Sequence, residues 1–191
     1  MSNDIHQQVV VSGASSGIGQ CIARHLLTSG WRVLGLDIAP PSLTDAAYKH
    51  HVIDLSDLDA IEKSLSNVDA FGFVHAAGVM RVGKLGQLDL SGAEHMWRLH
   101  EQAAAAVTNV LLPQMLHHQQ GRVVFIGSRV SQGLPGRGQY AATKAALVAM
   151  AKSWAAEVAA SGITINVVSP AATETGMLND PQRANSQPRL P

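Results

Sequence analysis

The chain has 191 residues, 46% of them hydrophobic and 4% aromatic, and its 14 basic and 14 acidic side chains cancel to a net charge of zero. That length suits one well-buried α/β domain rather than two large ones, and a balanced charge leaves no electrostatic footprint for nucleic acid or an anionic membrane. The single Cys21 excludes an internal disulfide, and with neither a secretory signal nor a long apolar run the expected location is cytoplasmic.

In chain order, a β-branched strand over 8–12 leads into Gly13, Gly17 and Gly19, and the apolar residues of 17–29 then recur at helical spacing. Strand, glycine turn and helix is the order a dinucleotide-binding unit requires. Glycine permits the tight turn and lets backbone amides approach a pyrophosphate at the positive end of the helix. Gly13, Ser15, Ser16, Gly17, Ile18 and Gly19 are thus candidate cofactor residues, although the G-x-x-x-G-x-G spacing also fits an ordinary loop. Cys21, on the apolar side of this helix, reads as core. The next strand, 32–37, ends in Asp37. A carboxylate there binds both ribose hydroxyls of an adenosine and repels a 2′-phosphate, so NAD is expected over NADP; no Lys or Arg lies within 13–19 or directly after Asp37.

Residues 38–49 contain Pro40-Pro41 and are too broken for a full helix. Further strands are expected at 50–54, 71–75, 122–127 and 163–168, and helices at 56–66, 92–118 and 140–160. The strands are nearly continuous in apolar or β-branched residues, which suits burial on both faces of a parallel sheet. The alternation predicts a Rossmann-type doubly wound parallel sheet with helices on both faces, a three-layer α/β/α domain spanning 1–178. Residues 179–191, rich in Pro, Asn and Gln, read as a flexible segment.

Within the last helix Tyr140 and Lys144 stand at i and i+4, on one face. An ammonium beside a phenol stabilises the phenolate and brings the tyrosine towards proton exchange near neutral pH, which a carbonyl reductase or alcohol dehydrogenase needs. Of the histidines, His50-His51 and His117-His118 are adjacent pairs whose side chains diverge, and the others lack ligand spacing; no metal is expected.

Together these residues resemble the short-chain dehydrogenase/reductase family along nearly the whole chain. Ser12 to Gly19 looks like its T-G-x-x-x-G-I-G loop, Asp54-Leu55 like the acid that contacts adenine, and Phe73 to Gly78 like the strand that ends in N-N-A-G. Arg122 to Ser128 is similar to the strand that delivers a catalytic serine, Tyr140 and Lys144 fall on Y-x-x-x-K, and Asn166 to Thr175 resembles N-x-V-x-P-G-x-x-x-T beside the nicotinamide. The resemblance implies hydride transfer between NAD(H) and a secondary alcohol or ketone. Tyr140 would exchange the proton, Lys144 would assist it and bind the nicotinamide ribose, and Ser128 would hold the substrate oxygen. Ala76, Ala77, Gly78, Pro170, Thr173 and Thr175 join the implied cofactor contacts.

The chain departs from the family at three points. It stops where members continue through a substrate lid, a helix and a last strand, so truncation is the favoured expectation. His100 stands where the family has an active-site Asn that helps hold a water linking the lysine to solvent; it takes over that relay, blocks it, or simply satisfies a nearby carbonyl. Ser128 lies one residue closer to Tyr140 than is usual, with Ser131 as the reserve candidate. Residues 76–81 look somewhat like those of dihydrodiol dehydrogenases of aromatic acid metabolism, where Arg81 or Arg137 would pair with a carboxylate. A 3-oxoacyl-carrier reductase is equally compatible, against Asp37 and that enzyme's usual NADPH. A non-catalytic NAD-binding sensor or structural protein of the same fold is the alternative. Small residues on 103–106 and 140–160 fit the family's helix pairing across a dimer axis, so a homodimer or homotetramer is expected.

Overall fold

A computed structural model of the protein describes residues 7–177; the segment expected to be flexible, 179–191, lies outside them. Six strands form one sheet in the order β3-β2-β1-β4-β5-β6, every neighbouring pair parallel: β1 Gln8–Ser12, β2 Arg32–Asp37, β3 Tyr48–Val52, β4 Gly72–His75, β5 Gly121–Ile126 and β6 Ile163–Val168. Five α-helices join them: α1 Gly17–Thr28, α2 Leu58–Leu65, α3 Leu90–Trp97, α4 Ala103–His117 and α5 Gly138–Val158.

The two-residue period of a strand assigns each side chain to a layer. Val9 and Val11 pack with Val33 and Ala23 on the α1 side. Val10 instead joins Leu34, Phe73, Val123 and Ile165 with Ile61, Leu111 and Leu147 of α2, α4 and α5. The sheet therefore carries helices on both faces, in three layers. On the α1 side, Arg122, Thr164, Asn166 and Val168 remain exposed among the described residues.

The structure departs from the sequence expectations at three elements. β3 runs two residues earlier than 50–54 and is half-exposed, because it is an edge strand whose adjacent histidines face opposite sides. His50 bonds to the Ala39 carbonyl, whereas His51 bonds to Ser64 of α2. Cys21 is exposed rather than core; only Gly19 and Ala23 of α1 are buried, since this helix meets the sheet along a narrow seam. The single helix expected over 92–118 is divided by a π-helical turn, Arg98–Gln102, between α3 and α4. The extra residue in that turn rotates the helix and aims His100 inward, where it is fully buried.

Candidate active site

The strand order reverses direction at β1, so the loops after β1 and β4 part to opposite sides and leave a cleft at the carboxyl edge of the sheet. Ser12 ties the two strands together there. Its Oγ accepts the amides of Ala76 and Ala77, both at 3.1 Å, and donates to Nδ1 of His75 at 2.9 Å, while His75 Nε2–H donates to the Leu99 carbonyl at 3.1 Å. This tautomer follows because a carbonyl only accepts. Burial, then the nearby Lys144 charge, push the His75 pKa down to about 3, so the ring is neutral.

On the β1 side the glycines build a cradle. A Cβ on Gly13 would stand 2.8 Å from the Ala77 nitrogen, and one on Gly19 would run into the Gly13 carbonyl, so the turn closes only with glycine at both positions. Gly17 has φ +53 and faces the Thr175 methyl, which brings the 170–177 segment across the loop. The helices that begin at the cleft, α1 and α5, have no side-chain cap, whereas Asp57 and Asp89 cap α2 and α3 away from it. Open amides at the start of α1 suit a pyrophosphate. At the rim, Asp37 Oδ2 accepts the Ser15 amide and Oδ1 the Ala39 amide, both at 3.0 Å, which fixes a carboxylate with lone pairs to spare for ribose hydroxyls. These features fit a dinucleotide.

On the β5 side, Ile126 ends the strand, Ser128 follows it, and α5 faces both. Lys144 is buried and its Nζ donates to the Ile126 carbonyl at 2.9 Å. Its ammonium lies 5.9 Å from the centre of the Tyr140 ring. Burial lowers its pKa to about 8, which leaves it mainly charged at neutral pH. His100 packs edge-on against Tyr140, with ring centres 5.7 Å apart. Its Nε2 accepts the Val79 amide at 3.0 Å and Nδ1 lies 2.8 Å from Thr143 Oγ1, which itself donates to the Tyr140 carbonyl at 2.9 Å. The proton is therefore on Nδ1, both ring nitrogens are engaged within the protein, and burial and the Lys144 charge push the pKa well below the usual histidine range.

Two hollows meet along this cleft. One of about 550 Å³ is lined by Ser128, Tyr140, Lys144, His100, Pro170 and Thr173. The other, about 670 Å³, is lined by Gly13, Ser16, Gly17, Gly19, Asp37, Asp54, Leu55 and Ala77. Ile18, Ala76, Gly78 and Thr175 border both. Of the residues expected from sequence, Ser15 lines neither; its hydroxyl donates to the Pro40 carbonyl at 2.8 Å and braces the loop. Ser131 is also outside the first hollow, and Arg81 borders the second hollow rather than the one around Tyr140. Thr143 has no spacing signature in the sequence. The sequence signal for His75 is a polar residue closing an apolar strand. Among the described residues no three His, Cys, Asp or Glu side chains gather as metal ligands, and no helix is long and apolar enough to cross a membrane.

Residues 7–186 match the family model described as short chain dehydrogenase. The chain belongs to the short-chain dehydrogenase family. The 3-oxoacyl-[acyl-carrier-protein] reductase FabG of Salmonella typhimurium is 34% identical over 197 residues, covering 95% of this chain and 81% of that relative. A short-chain dehydrogenase from Streptomyces avermitilis superposes with a TM-score of 0.85 at 30% identity, over 91% of this chain and 68% of that one. A 4-hydroxyisoleucine dehydrogenase complexed with NADH gives a TM-score of 0.83 at 26% identity, over 91% and 78%. Membership of this family makes the chain an oxidoreductase of CH–OH or carbonyl groups that works with a nucleotide cofactor.

Proposed function

We propose that the protein transfers hydride between NAD(H) and a secondary alcohol or ketone through Ser128, Tyr140 and Lys144. The observation that carries this reading is that these three side chains line one hollow, which opens onto the glycine cradle and the adenosine-side hollow. When bound, the nicotinamide supplies or accepts the hydride. Tyr140 gives the substrate oxygen its proton in reduction and takes it in oxidation, with the Lys144 charge beside the phenol. Ser128 holds the same oxygen as charge develops on it. Its Oγ already accepts the Val130 amide at 3.1 Å, which leaves the hydroxyl proton to donate.

Preference for NAD over NADP rests on the Asp37 carboxylate, which the Ser15 and Ala39 amides fix at the rim. Arg81 borders the same hollow, so the preference is a balance between an anion and a cation that both line it. His100 acts by position. With both nitrogens engaged it fastens the Val79 segment to α5, and the proton on Lys144 leaves through the cleft rather than through the ring. A cytoplasmic location and a homodimer or homotetramer complete the proposal, the latter resting on α5, whose Ala142, Ala145, Ala149 and Ala156 are exposed, whereas Ala103 and Ala104 of α4 are buried in the core.

The test is Tyr140→Phe. Turnover of NADH with ketones, or of NAD with secondary alcohols, should fall by roughly three orders of magnitude or more, while NADH affinity by fluorescence titration stays within about twofold. Full activity in the variant overturns the proposal. NADH binding by the wild-type protein without turnover across a broad alcohol panel supports a cofactor sensor instead.

A further inference from the structure

We infer that His50 and Tyr48, on the edge strand β3, are positioning residues for cofactor choice, acting through the Ala39 segment on the Asp37 carboxylate. This rests on the proposed role of Asp37 at the ribose. It extends that role to two side chains that line neither hollow.

Asp37 is the last residue of β2, and no helix or strand occupies residues 38–47. Two amides fix its oxygens, that of Ser15 on Oδ2 and that of Ala39 on Oδ1. Ser15 belongs to the glycine cradle and is held by the closure of that turn. Ala39 has no such frame, because it leads into Pro40-Pro41, which carry no N–H, and no repeating ladder follows. Side chains anchor the segment instead. His50 Nε2–H donates to the Ala39 carbonyl at 3.0 Å, and the Ser15 hydroxyl donates to the adjoining Pro40 carbonyl at 2.8 Å. Since a carbonyl only accepts, the ring proton is on Nε2, and Nδ1 accepts the Tyr48 hydroxyl at 2.8 Å. Burial, then the Asp37 charge, raise the Tyr48 pKa, so the phenol keeps the proton it donates.

The far end of this chain is built into the sheet. A Cβ on Gly35 would run into the Tyr48 hydroxyl, so β2 carries a glycine where the phenol lies across it. Gly35 stands opposite His50 in the register of the two strands, and the Tyr48 ring packs with Val9, Val11 and Val33 on the α1 side. The neighbouring His51 bonds to Ser64 on the opposite face, so only one ring of the adjacent pair reaches Ala39. Tyr48, His50 and Ala39 thus form one run of donors and acceptors that ends on Asp37 Oδ1, and such runs strengthen their members.

The run bears on specificity because NAD and NADP differ only at the ribose 2′ position. A carboxylate held by two fixed donors offers its remaining lone pairs to ribose hydroxyls and its charge to a phosphate at the same place. Without the His50 anchor, Ala39 is free to swing, Oδ1 loses its fixed donor and the carboxylate turns among rotamers. The dinucleotide with free hydroxyls then loses a pre-organised partner, and the phosphorylated one loses part of the repulsion. A loosened fold lowers both affinities together. Only a displaced Asp37 moves their ratio.

The test is titration of NADH and NADPH into the full chain by fluorescence, which needs no substrate. Wild type should bind NADH about 30-fold or more tightly than NADPH, and Asp37→Ser should cut that ratio to about threefold or less. His50→Leu should raise the Kd of NADH by about fivefold or more and leave that of NADPH within about twofold. His50→Gln should keep the ratio within about twofold of wild type, since its amide nitrogen stands near the place of Nε2, whereas the shorter His50→Asn should behave as His50→Leu does. Tyr48→Phe removes one oxygen and should lower the ratio by about two- to threefold, which carries the test if His50→Leu does not fold. In the Asp37→Ser background His50→Leu should leave the ratio unchanged, because the carboxylate it positions is gone. An unaltered ratio in His50→Leu and Tyr48→Phe, equal weakening of both dinucleotides, or the same change of ratio without Asp37 overturns the inference while the role of Asp37 stands. A wild type without NADH preference, or a preference that survives Asp37→Ser, removes the role of Asp37 and this inference together.

Discussion

At Gly78 the site depends on an absent side chain. A Cβ there would lie 2.9 Å from Nε2 of His100 and 3.6 Å from Nζ of Lys144. The histidine ring has nowhere to move, because the Val79 amide and Thr143 hold its two nitrogens. Gly78→Ala should therefore cost about 1–3 kcal/mol of stability by urea denaturation and lower kcat by roughly tenfold or more as the His100 ring is pressed against Tyr140. His100→Asn makes the complementary test. The shorter amide reaches the Val79 amide or Thr143 but not both, and leaving one buried partner unmet costs about 1–3 kcal/mol. If His100 positions rather than relays, the variant lowers kcat while its pH–rate profile keeps both limbs at their wild-type pH. A displaced or missing limb would assign the ring a proton-carrying role.

At the scale of elements, α5 shows why the Tyr140–Lys144 pair was legible. Apart from Ala141, its buried residues Tyr140, Thr143, Lys144, Leu147, Ala151 and Val158 form one stripe, so the face that packs on the sheet also carries the pair proposed to exchange the proton. Leu147 is fully buried in the larger core. Leu147→Ala should cost about 2–5 kcal/mol and lower the melting temperature, read by calorimetry, by about 2–4 °C per kcal/mol. The positions of the glycine turn, Asp37 and Ser128 along the cleft were readable for the same kind of reason, since each proposed role demands a residue type at a fixed strand end. The π-helical turn at 98–102 was not, because its apolar pattern matches that of a continuous helix and only the packing of His100 against Tyr140 distinguishes the two. Cys21 was misread because helical spacing names an apolar side without saying how much of it meets the sheet. Arg81 and Arg137 were both visible, but sequence distance could not tell which hollow each borders.

At the scale of the whole molecule, buried neutral histidines set the acid response. His75 titrates near pH 3 in the folded chain, His100 is also pushed well down, and each returns to about 6.5 when unfolded. Below pH 6.5 the unfolded chain binds protons that the folded chain refuses, so stability rises with pH in this window and is lost as pH falls. The loss is up to about 1.4 kcal/mol per pH unit for each histidine. Urea midpoints taken between pH 7 and 4.5 should fall accordingly, and His100→Asn should flatten the slope by about half; an unchanged slope would mean that the ring is charged in the native state. Lys144 acts in the same direction at higher pH, since its folded value of about 8 lies below its unfolded value of 10.5.

The order β3-β2-β1-β4-β5-β6 has a consequence for how the chain is made. As the nascent polypeptide emerges, β2 docks on β1 and β3 on β2; β4 then takes the other side of β1, and β5 and β6 follow outward. Every newly synthesised strand meets an edge that earlier residues have already formed, and none has to be inserted between two others. The cradle and Asp37 are consequently translated as a contiguous block before Ser128, Tyr140 and Lys144 exist. On a translating ribosome, the half that receives the dinucleotide can be assembled before the half that uses it.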